Sequence, residues 1–486
     1  MRSPFVALCC LLWGGALAAQ TDSAASPPLP IDHWAARAAA RAWAMGLAPG
    51  YFPAQRSAPR GLVAQALREA AERDPEQAAG WLRRFEEEFP EYAGRTVLLG
   101  GRAGLVTDHE AGRTEPAFGA YGFRREPFAL PDRDEWAGAA TVALGVRAAA
   151  AIARVEAGTE GVEVPVWDVS AAWGPLGASV GREAVGYGTA RSGGIVVTGA
   201  APMVRGQVQT LRPVELPSLL RYLGPATFHS SLSRLPQSRH PGRPWFWTAR
   251  AGFQPHPRLQ LGVNRASVFG GDSIATPVTA GNVARMFLGI LSAEFENQVI
   301  AADGRWRLPT ERVLPATVYF EWGSEDASGA WWKVPGRTFG LFLPRLGRDL
   351  AGGAELTRFS KQCCGNPSWY MHASQPGGWV YGNRPLGHPL GGEGWEALAY
   401  GQAELLDARL RLEGRAFVRR RGQEGLERPE RASNLYAPVR TGGSVGGSLD
   451  AVWRLGARLD ARVALERDAG DGWREQRLRA DLSYLF

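Results

Sequence analysis

After its first 18 residues the chain lacks any run of about 18 apolar residues, which excludes a helical membrane span of ordinary length. Cysteine is scarce too, with four in 486 residues. Cys9 and Cys10 lie inside an amino-terminal apolar run with more apolar residues after them, which argues against a lipoprotein site. Cys363 and Cys364 are adjacent, and neighbouring cysteines bridge each other only with backbone strain, so no structural disulfide is expected. There is no H-E-x-x-H, paired C-x-x-C, EF-hand loop or phosphate-binding glycine motif. His33, His109, His229, His240, His256, His372 and His388 are scattered without metal-ligand spacing, so neither a metal nor a cofactor is expected. No basic block is interleaved with aromatics, which removes nucleic acid from the candidate partners.

Catalytic signals are equally thin. Gly177 to Gly181 and Gly442 to Gly446 both match G-x-S-x-G, but a nucleophile elbow needs a strand, a sharp turn and a helix. Both matches fall within alternating β sequence. Gly271-Asp272-Ser273 has no evident histidine partner, and Glu325 with Asp326 are adjacent, not held apart as glycoside hydrolysis requires. The chain is not read as an enzyme.

What the sequence does contain is alternation. Leu478, Ala480, Leu482, Tyr484 and Phe486 share one face of a terminal strand, and Arg479, Asp481 and Ser483 share the other. A chain ending this way resembles the closing strand of bacterial outer-membrane barrels. At the other end, Arg2, the apolar run Pro4 to Leu12 and the Ala16-Leu17-Ala18 site read as a secretory signal peptide over residues 1–18. Residues 19–30 form a polar, proline-rich leader expected to be flexible.

Residues 31–92 have helical periodicity. Ile31, Trp34, Ala35, Ala38, Ala42 and Met45 fall on one helix face, and the segment stops at Gly46 to Pro49. A second helix, starting near Ser57 and Pro59, groups Leu62, Val63, Ala66, Leu67 and Ala70. The third takes Asp74 as N-cap and Pro75 as its first residue, and stacks Ala78, Trp81, Leu82, Phe85 and Phe89 before Pro90 ends it. Together these predict a small helical bundle that could plug or flank a barrel.

From Tyr92 the period becomes two. Trp245, Trp247, Ala249, Ala251 and Phe253 precede a Pro255-His256-Pro257 turn, and Leu259, Leu261 and Val263 follow it. The interleaved residues, Thr248, Arg250, Gln254, Gln260 and Asn264, are polar. The same pattern recurs at Leu410 to Arg419, Val445 to Leu455 and Leu459 to Leu465. In a soluble sandwich the polar face would meet bulk water, and in a barrel it would line the lumen; periodicity alone does not separate the two. The signal peptide, the terminal Phe486 and a supply of 18 Trp and 11 Tyr for interfacial girdles favour the barrel. The mean hydropathy of −0.20 is no objection, because only alternate strand residues face lipid. The expected fold class is mostly β: a transmembrane antiparallel β-barrel over residues 93–486, with room for roughly 16 to 18 strands, and the small N-terminal α-helical bundle. Scattered arginine gives a net charge of +7, which suits acidic ligands unless the arginines pair with nearby carboxylates.

Several blocks resemble the Wzi-type capsule assembly family. Gly181-Arg182, Gly186-Tyr187-Gly188, Gly193 to Thr198 and Ala200-Ala201-Pro202 are similar to its central block. Phe253 to Arg265 (FQPHPRLQLGVNR) resembles its F-R-P-H-P-R-L-E-L-G-L-S-R hairpin, and Tyr319 to Asp326 resembles a strand ending in E-D. Trp369-Tyr370-Met371-His372 and Gly378 to His388 are similar to its W-Y-x-H and G-Y-x-Y-x-x-R-x-x-G-H segments. The chain departs from the pattern where Gly186-Tyr187-Gly188-Thr189 replaces a tryptophan-rich turn and where Ala200 stands for the usual Asn. The resemblance implies an outer-membrane barrel of about 18 strands with a periplasm-facing helical bundle over residues 31–92 and an occluded lumen, which binds exported capsular or surface polysaccharide and helps organise it at the cell surface, without bond chemistry. Outer-membrane lipid is then an obligatory partner and the polysaccharide export machinery a candidate one.

Sugar rings stack apolar C–H faces on Trp and Tyr, and acidic sugars accept charge-assisted hydrogen bonds from Arg. The Gly/Pro-rich stretch from Lys361 to Trp395 therefore supplies the candidate carbohydrate-binding residues Trp369, Tyr370, His372, Trp379, Tyr381, Arg384 and His388. The same aromatics could instead close the lumen or belong to a girdle. Thr107 to Asp134, Arg221 to Pro244 and Arg421 to Ala437 are further candidate loops. The alternative function is an outer-membrane porin or polysaccharide export channel, with the same barrel held open and lined by arginine.

Overall fold

The computed structural model describes residues 25–31, 33–89, 98–111, 135–146, 149–158, 161–199, 202–238, 240–288, 295–325, 335–360, 369–370, 372, 375, 377–381, 384–391, 394–406, 408–421, 442–456, 458–470 and 473–485. The expected signal peptide, Cys363, Cys364, Asp326 and Phe486 lie outside the described residues, as do most of the loops expected at Thr107 to Asp134 and Arg421 to Ala437.

Eighteen strands, from Leu98–Ala111 to Trp473–Leu485, form one sheet in which each pairs antiparallel with the next. The last strand also pairs with the first, running from Arg102 opposite Leu485 to Ala111 opposite Gln476. The sheet is thus closed, which is what a β structure needs in lipid, where an unpaired strand edge finds no water. A separate two-stranded hairpin, Val380–Tyr381 with Arg384–Pro385, is not part of the barrel wall.

Burial decides what periodicity could not. Along Trp245–His256 and Leu259–Phe269 the polar Thr248, Arg250, Gln254, Gln260 and Asn264 are buried, while Leu261 and Val263 are 38% and 44% exposed. The terminal strand repeats this, with Arg479, Asp481 and Ser483 buried and Leu478, Leu482 and Tyr484 exposed. A soluble sandwich would show the reverse. The polar face therefore lines a lumen and the apolar face forms an outward band, as in a transmembrane barrel. Exposed Trp173, Tyr222, Trp306, Trp453 and Tyr484 ring one end of the band, and the half-exposed or exposed Trp247, Trp322, Trp395 and Phe339 lie towards the other. Both G-x-S-x-G matches sit in continuous strand, Leu176–Glu183 and Gly442–Arg454, so neither forms an elbow.

The two ends differ. Connections such as 174–175, 257–258, 344–349 and 406–409 are short, whereas 184–202, 235–244, 270–295 and 360–393 at the opposite end are long. One expected loop is corrected here: Arg221 to Pro244 is not a single loop, because the strand Ala226–Arg234 runs through it and puts Arg221 and Pro244 at opposite ends. Its Thr-Phe-His-Ser-Ser-Leu-Ser core alternates as a strand does, but the flanking Pro and Gly obscured it.

Three helices, Trp34–Met45, Arg60–Arg73 and Pro75–Glu88, pack around Trp34, Trp43, Leu67, Trp81 and Phe85. Their boundaries follow from local chemistry. Gly46 ends the first helix in the left-handed region at φ 84°, where its N–H reaches the carbonyls of Ala42 and Trp43. Asp74 caps the third by accepting the Gln77 N–H, with Pro75 next.

The bundle docks on the short-turn end of the barrel. Arg41, fully buried, donates to the carbonyls of Pro344 (2.7 Å) and Arg348 (3.2 Å) and to Glu404 (3.3 Å). Glu404 also accepts the Trp81 indole N–H at 2.6 Å. Arg37 pairs with Glu413, and Arg454 with Glu87. Buried guanidinium groups satisfied by turn carbonyls fix orientation more firmly than apolar contact alone.

Candidate functional site

At the long-loop end the lumen is filled from within. Residues 184–202 leave the wall after Glu183 and turn inward, burying Val185, Tyr187, Thr189, Ser192, Ile195, Val196 and Val197. Two carboxylates on neighbouring parts of the wall hold this segment. Glu321 accepts the Ala190 N–H at 2.8 Å and the Ile195 N–H at 3.0 Å. Glu355 accepts the Arg191 N–H (2.7 Å), the Ser192 N–H (3.0 Å), the Tyr319 hydroxyl (2.9 Å) and the Ser192 hydroxyl. Gly188, at φ 107°, lets the chain pass the Glu321 carboxylate, which any Cβ there would strike. From below, Gly188 N–H donates to Ala54 O and Arg56 N–H to Gly186 O, so the stretch between the first two helices underpins the plug. Tyr187 reaches another part of the wall, its hydroxyl 2.5 Å from His229 Nδ1 and 2.9 Å from Thr248 Oγ1. Burial raises the Tyr187 phenol far above its ordinary pKa, so the bridge keeps its proton.

A second segment, residues 369–391, lies over the first. Tyr370 joins the two: its hydroxyl donates to Ile195 O at 2.5 Å and accepts the His388 N–H at 3.0 Å, and its carbonyl accepts the Trp379 N–H. Tyr370 is held at φ 64°, a conformation that a bulky side chain keeps only where its surroundings overdetermine it. Phe359 packs edge-on against Trp369 (4.9 Å between centroids), and Phe246 against Trp379 (5.5 Å). Together with Val299, Ala301, Leu386 and Leu390 they make one apolar core across the barrel mouth.

The seven carbohydrate-binding candidates separate accordingly. Trp369, Tyr370, Trp379 and His388 are fully or almost fully buried in that core, so in this state no ring face is open for a sugar to stack on. The sequence grouped them by type and loop composition, which cannot tell a stacking platform from a packed seal. Tyr381 is half-buried, packs on the same core and belongs to the Val380–Tyr381 hairpin. His372 is also half-buried and pairs backbone to backbone with Gln375. Arg384 stands opposite Tyr381 in the hairpin register.

A family model for the capsule assembly protein Wzi matches residues 141–470. The chain belongs to the Wzi family. The solved structure of Wzi from Escherichia coli, described as an outer-membrane carbohydrate-binding β-barrel involved in group 1 capsule assembly, has a TM-score of 0.76 to it. The two are 16% identical, and the match covers 95% of this chain and 100% of that one. Pseudomonas aeruginosa OpdQ (TM-score 0.47, 9% identity, 82% and 99% of the two chains) and OprD (0.46, 10%, 80% and 95%) are more distant. A comparison with curated proteins finds no match. As a Wzi-family barrel the protein is an outer-membrane protein.

Sequence reasoning found the Wzi-like blocks but not what holds them. Glu321 and Glu355 were missed, although each stands at an inward parity position of its strand, beside Tyr319 and Thr357 respectively. A lone carboxylate at such a position, among small or aromatic neighbours, is the signal that was available. The helix Ala280–Phe287 in the 270–295 connection was also missed; its Phe287 packs edge-on against Trp247 at 4.5 Å.

His388 is expected to make the seal sensitive to acid. Leu390 N–H donates to its Nδ1 at 3.1 Å, so its Nε2 carries the proton and donates to Ser192 Oγ at 3.0 Å, which continues to Glu355. Burial, then the positive charges of Arg421, Arg419 and Arg56, lower its pKa from 6.5 to about 3. Between those values the unfolded chain binds the extra proton and the folded one does not. The stabilisation is therefore complete above about pH 6.5 and is lost progressively as the pH falls towards 3. His388→Gln is expected to flatten that acid limb in a pH series of thermal melts; identical limbs in both proteins would remove His388 as the cause.

Proposed function

We propose that this Wzi-family protein binds exported capsular polysaccharide at its long-loop face and organises it at the cell surface, as a lectin without bond chemistry. The observation that carries this reading is the plug. A barrel whose mouth is filled by 184–202, hydrogen-bonded into the wall, and by 369–391, hydrogen-bonded to that segment and packed against the apolar wall residues, offers a rigid surface, not a passage. Short turns face the periplasm in barrels of this kind and long loops face outward. On this reading the helical bundle faces the periplasm and the export machinery, and the hairpin Val380–Tyr381 faces outward. Outer-membrane lipid meets the exposed apolar band.

In this reading the buried Trp369, Tyr370, Trp379 and His388 hold the hairpin, and the half-buried Tyr381 and His372 touch the sugar together with Arg384. The test is binding of the host's own capsular polysaccharide to the detergent-solubilised protein, with bilayer conductance measured on the same preparation. Saturable binding without conductance is expected. Tyr381→Ala should weaken it by about 1–2 kcal/mol, roughly five- to thirtyfold, since one aromatic contact is lost. Conductance without binding would instead establish the porin reading.

A further inference from the structure

One row of the lipid-facing wall is not apolar. Near the long-loop end, five neighbouring strands, Thr317–Glu325, Gly336–Leu343, Leu350–Phe359, Gly394–Leu405 and Leu410–Arg421, carry it. Their registers set Trp322 opposite Arg337, Arg337 opposite Arg358, Arg358 opposite Trp395 and Trp395 opposite Arg420. The three arginines have outward parity. Phe339, Leu356 and Val418, two residues along from them, are exposed, whereas Thr338, Thr357 and Arg419 are buried. Arg358 and Arg420 are themselves exposed, and Arg337 is half-buried with its guanidinium 5.8 Å from the Trp322 ring centroid. From each arginine towards the short-turn end every outward position is apolar or glycine, as at Val418, Ala416, Gly414, Leu412 and Leu410.

The acids of these strands face the other way. Glu321, Glu325, Glu355, Glu396, Glu404 and Glu413 all have inward parity. Among the described residues none of the three guanidinium groups has an ion pair or a hydrogen-bond acceptor. Like charges directly opposite on neighbouring strands destabilise a sheet, and Arg337 and Arg358 are such a pair. An anion between them removes that cost. Each arginine also stands one residue from the long-loop end of its strand, where a cation on the lipid face reaches the headgroup layer, and a guanidinium fork matches phosphate oxygens two at a time. Arg420 lies two strands beyond Arg358, about 10 Å away at the usual strand spacing. The row therefore presents two phosphate positions, one at the Arg337 and Arg358 pair and one at Arg420.

We infer that Arg337, Arg358 and Arg420, interleaved with Trp322 and Trp395, form a binding site for a lipid headgroup that carries two phosphates, in the leaflet at the long-loop end. The inference rests on the closed barrel and not on polysaccharide binding. Native mass spectrometry of the full-length, detergent-solubilised protein tests it with diphosphoryl lipid A, monophosphoryl lipid A and phosphatidylglycerol. The first two share their sugar and differ in phosphate count, and the third has one phosphate and no sugar. One retained equivalent of the diphosphoryl lipid is expected, with the other two bound about tenfold more weakly. Arg358→Gln with Arg420→Gln should weaken the diphosphoryl lipid about tenfold or more, while Arg358→Lys keeps a charge and should lose less. Arg221→Gln, at an exposed arginine of the short-turn end, should lose nothing. Heat-modifiable mobility on a gel establishes that each variant is folded, and either single glutamine variant serves should the double one not fold. Equal retention of both lipid A forms would mean that sugar is recognised and not phosphate. That result, equal retention of phosphatidylglycerol, no retention of any lipid, or equal binding by wild type and the folded glutamine variants overturns the assignment.

Discussion

Glu355→Ala is expected to open the barrel. The wild-type carboxylate, 4% exposed, accepts two plug N–H groups and the hydroxyls of Ser192 and Tyr319. Alanine leaves all four donors without that acceptor on a wall that water does not reach while the plug is seated. Each buried unmet donor costs about 1–3 kcal/mol, and removal of one member of a buried charged network typically costs about 3–5 kcal/mol in total. The unseated plug escapes that cost because its amides then meet water. The closed-to-open ratio should therefore fall by about a hundredfold or more, which planar-bilayer recording reads as conductance absent from the wild type. Glu355→Gln keeps the shape and one strong acceptor and should fall between the two. A folded Glu355→Ala protein that stays silent in the bilayer would mean that the apolar core around Tyr370 and Trp379 holds the seal without the clamp.

This clamp also shows how far the sequence could be read. Helix ends were legible because they depend on neighbours in the chain: Asp74 with Pro75, and Gly46 in a left-handed turn, act over a few residues and appear where expected. Strand existence was legible for the same reason, since a period of two is local. Which face meets water was not, because Arg250 and Arg479 look solvent-facing until closure of the sheet places them in a lumen. The plug lies between these cases. Its blocks stood out as Wzi-like, yet Ser192 and Glu355 are 163 residues apart and Tyr370 and Ile195 are 175 apart, separations that no local pattern encodes. For that reason Trp369 and Trp379 read equally well as sugar platforms and as a seal. Only the wall residues facing them, Phe359 and Phe246, decide for burial.

The bonds in the wall itself should behave differently from the clamp, because they connect strands that stay put when the plug moves. Asp303, Arg250 and Asn264 sit on three consecutive strands, all nearly fully buried. Asn264 donates to Asp303 at 2.7 Å, Arg250 donates to the other Asp303 oxygen at 3.0 Å, and a second guanidinium nitrogen bonds both partners. Gly262 leaves the room this requires, since a Cβ there would strike the guanidinium. Asp303→Ala strands a buried charge and is expected to cost about 3–5 kcal/mol, visible as a lower urea midpoint for unfolding from lipid vesicles. Arg250→Met with Asp303→Ala removes the charge as well as its partner, and should be more stable than the single variant because the desolvation cost goes with the guanidinium. If the double variant unfolds as early as the single one, the pair contributes through packing and strand register, not charge compensation. Neither change should raise conductance, since the plug is clamped by Glu321 and Glu355 and not, among the described residues, by these three side chains. Stability and occlusion are thus predicted to separate: charge pairs between wall strands set the urea midpoint, and the two wall carboxylates that clamp the plug set the current.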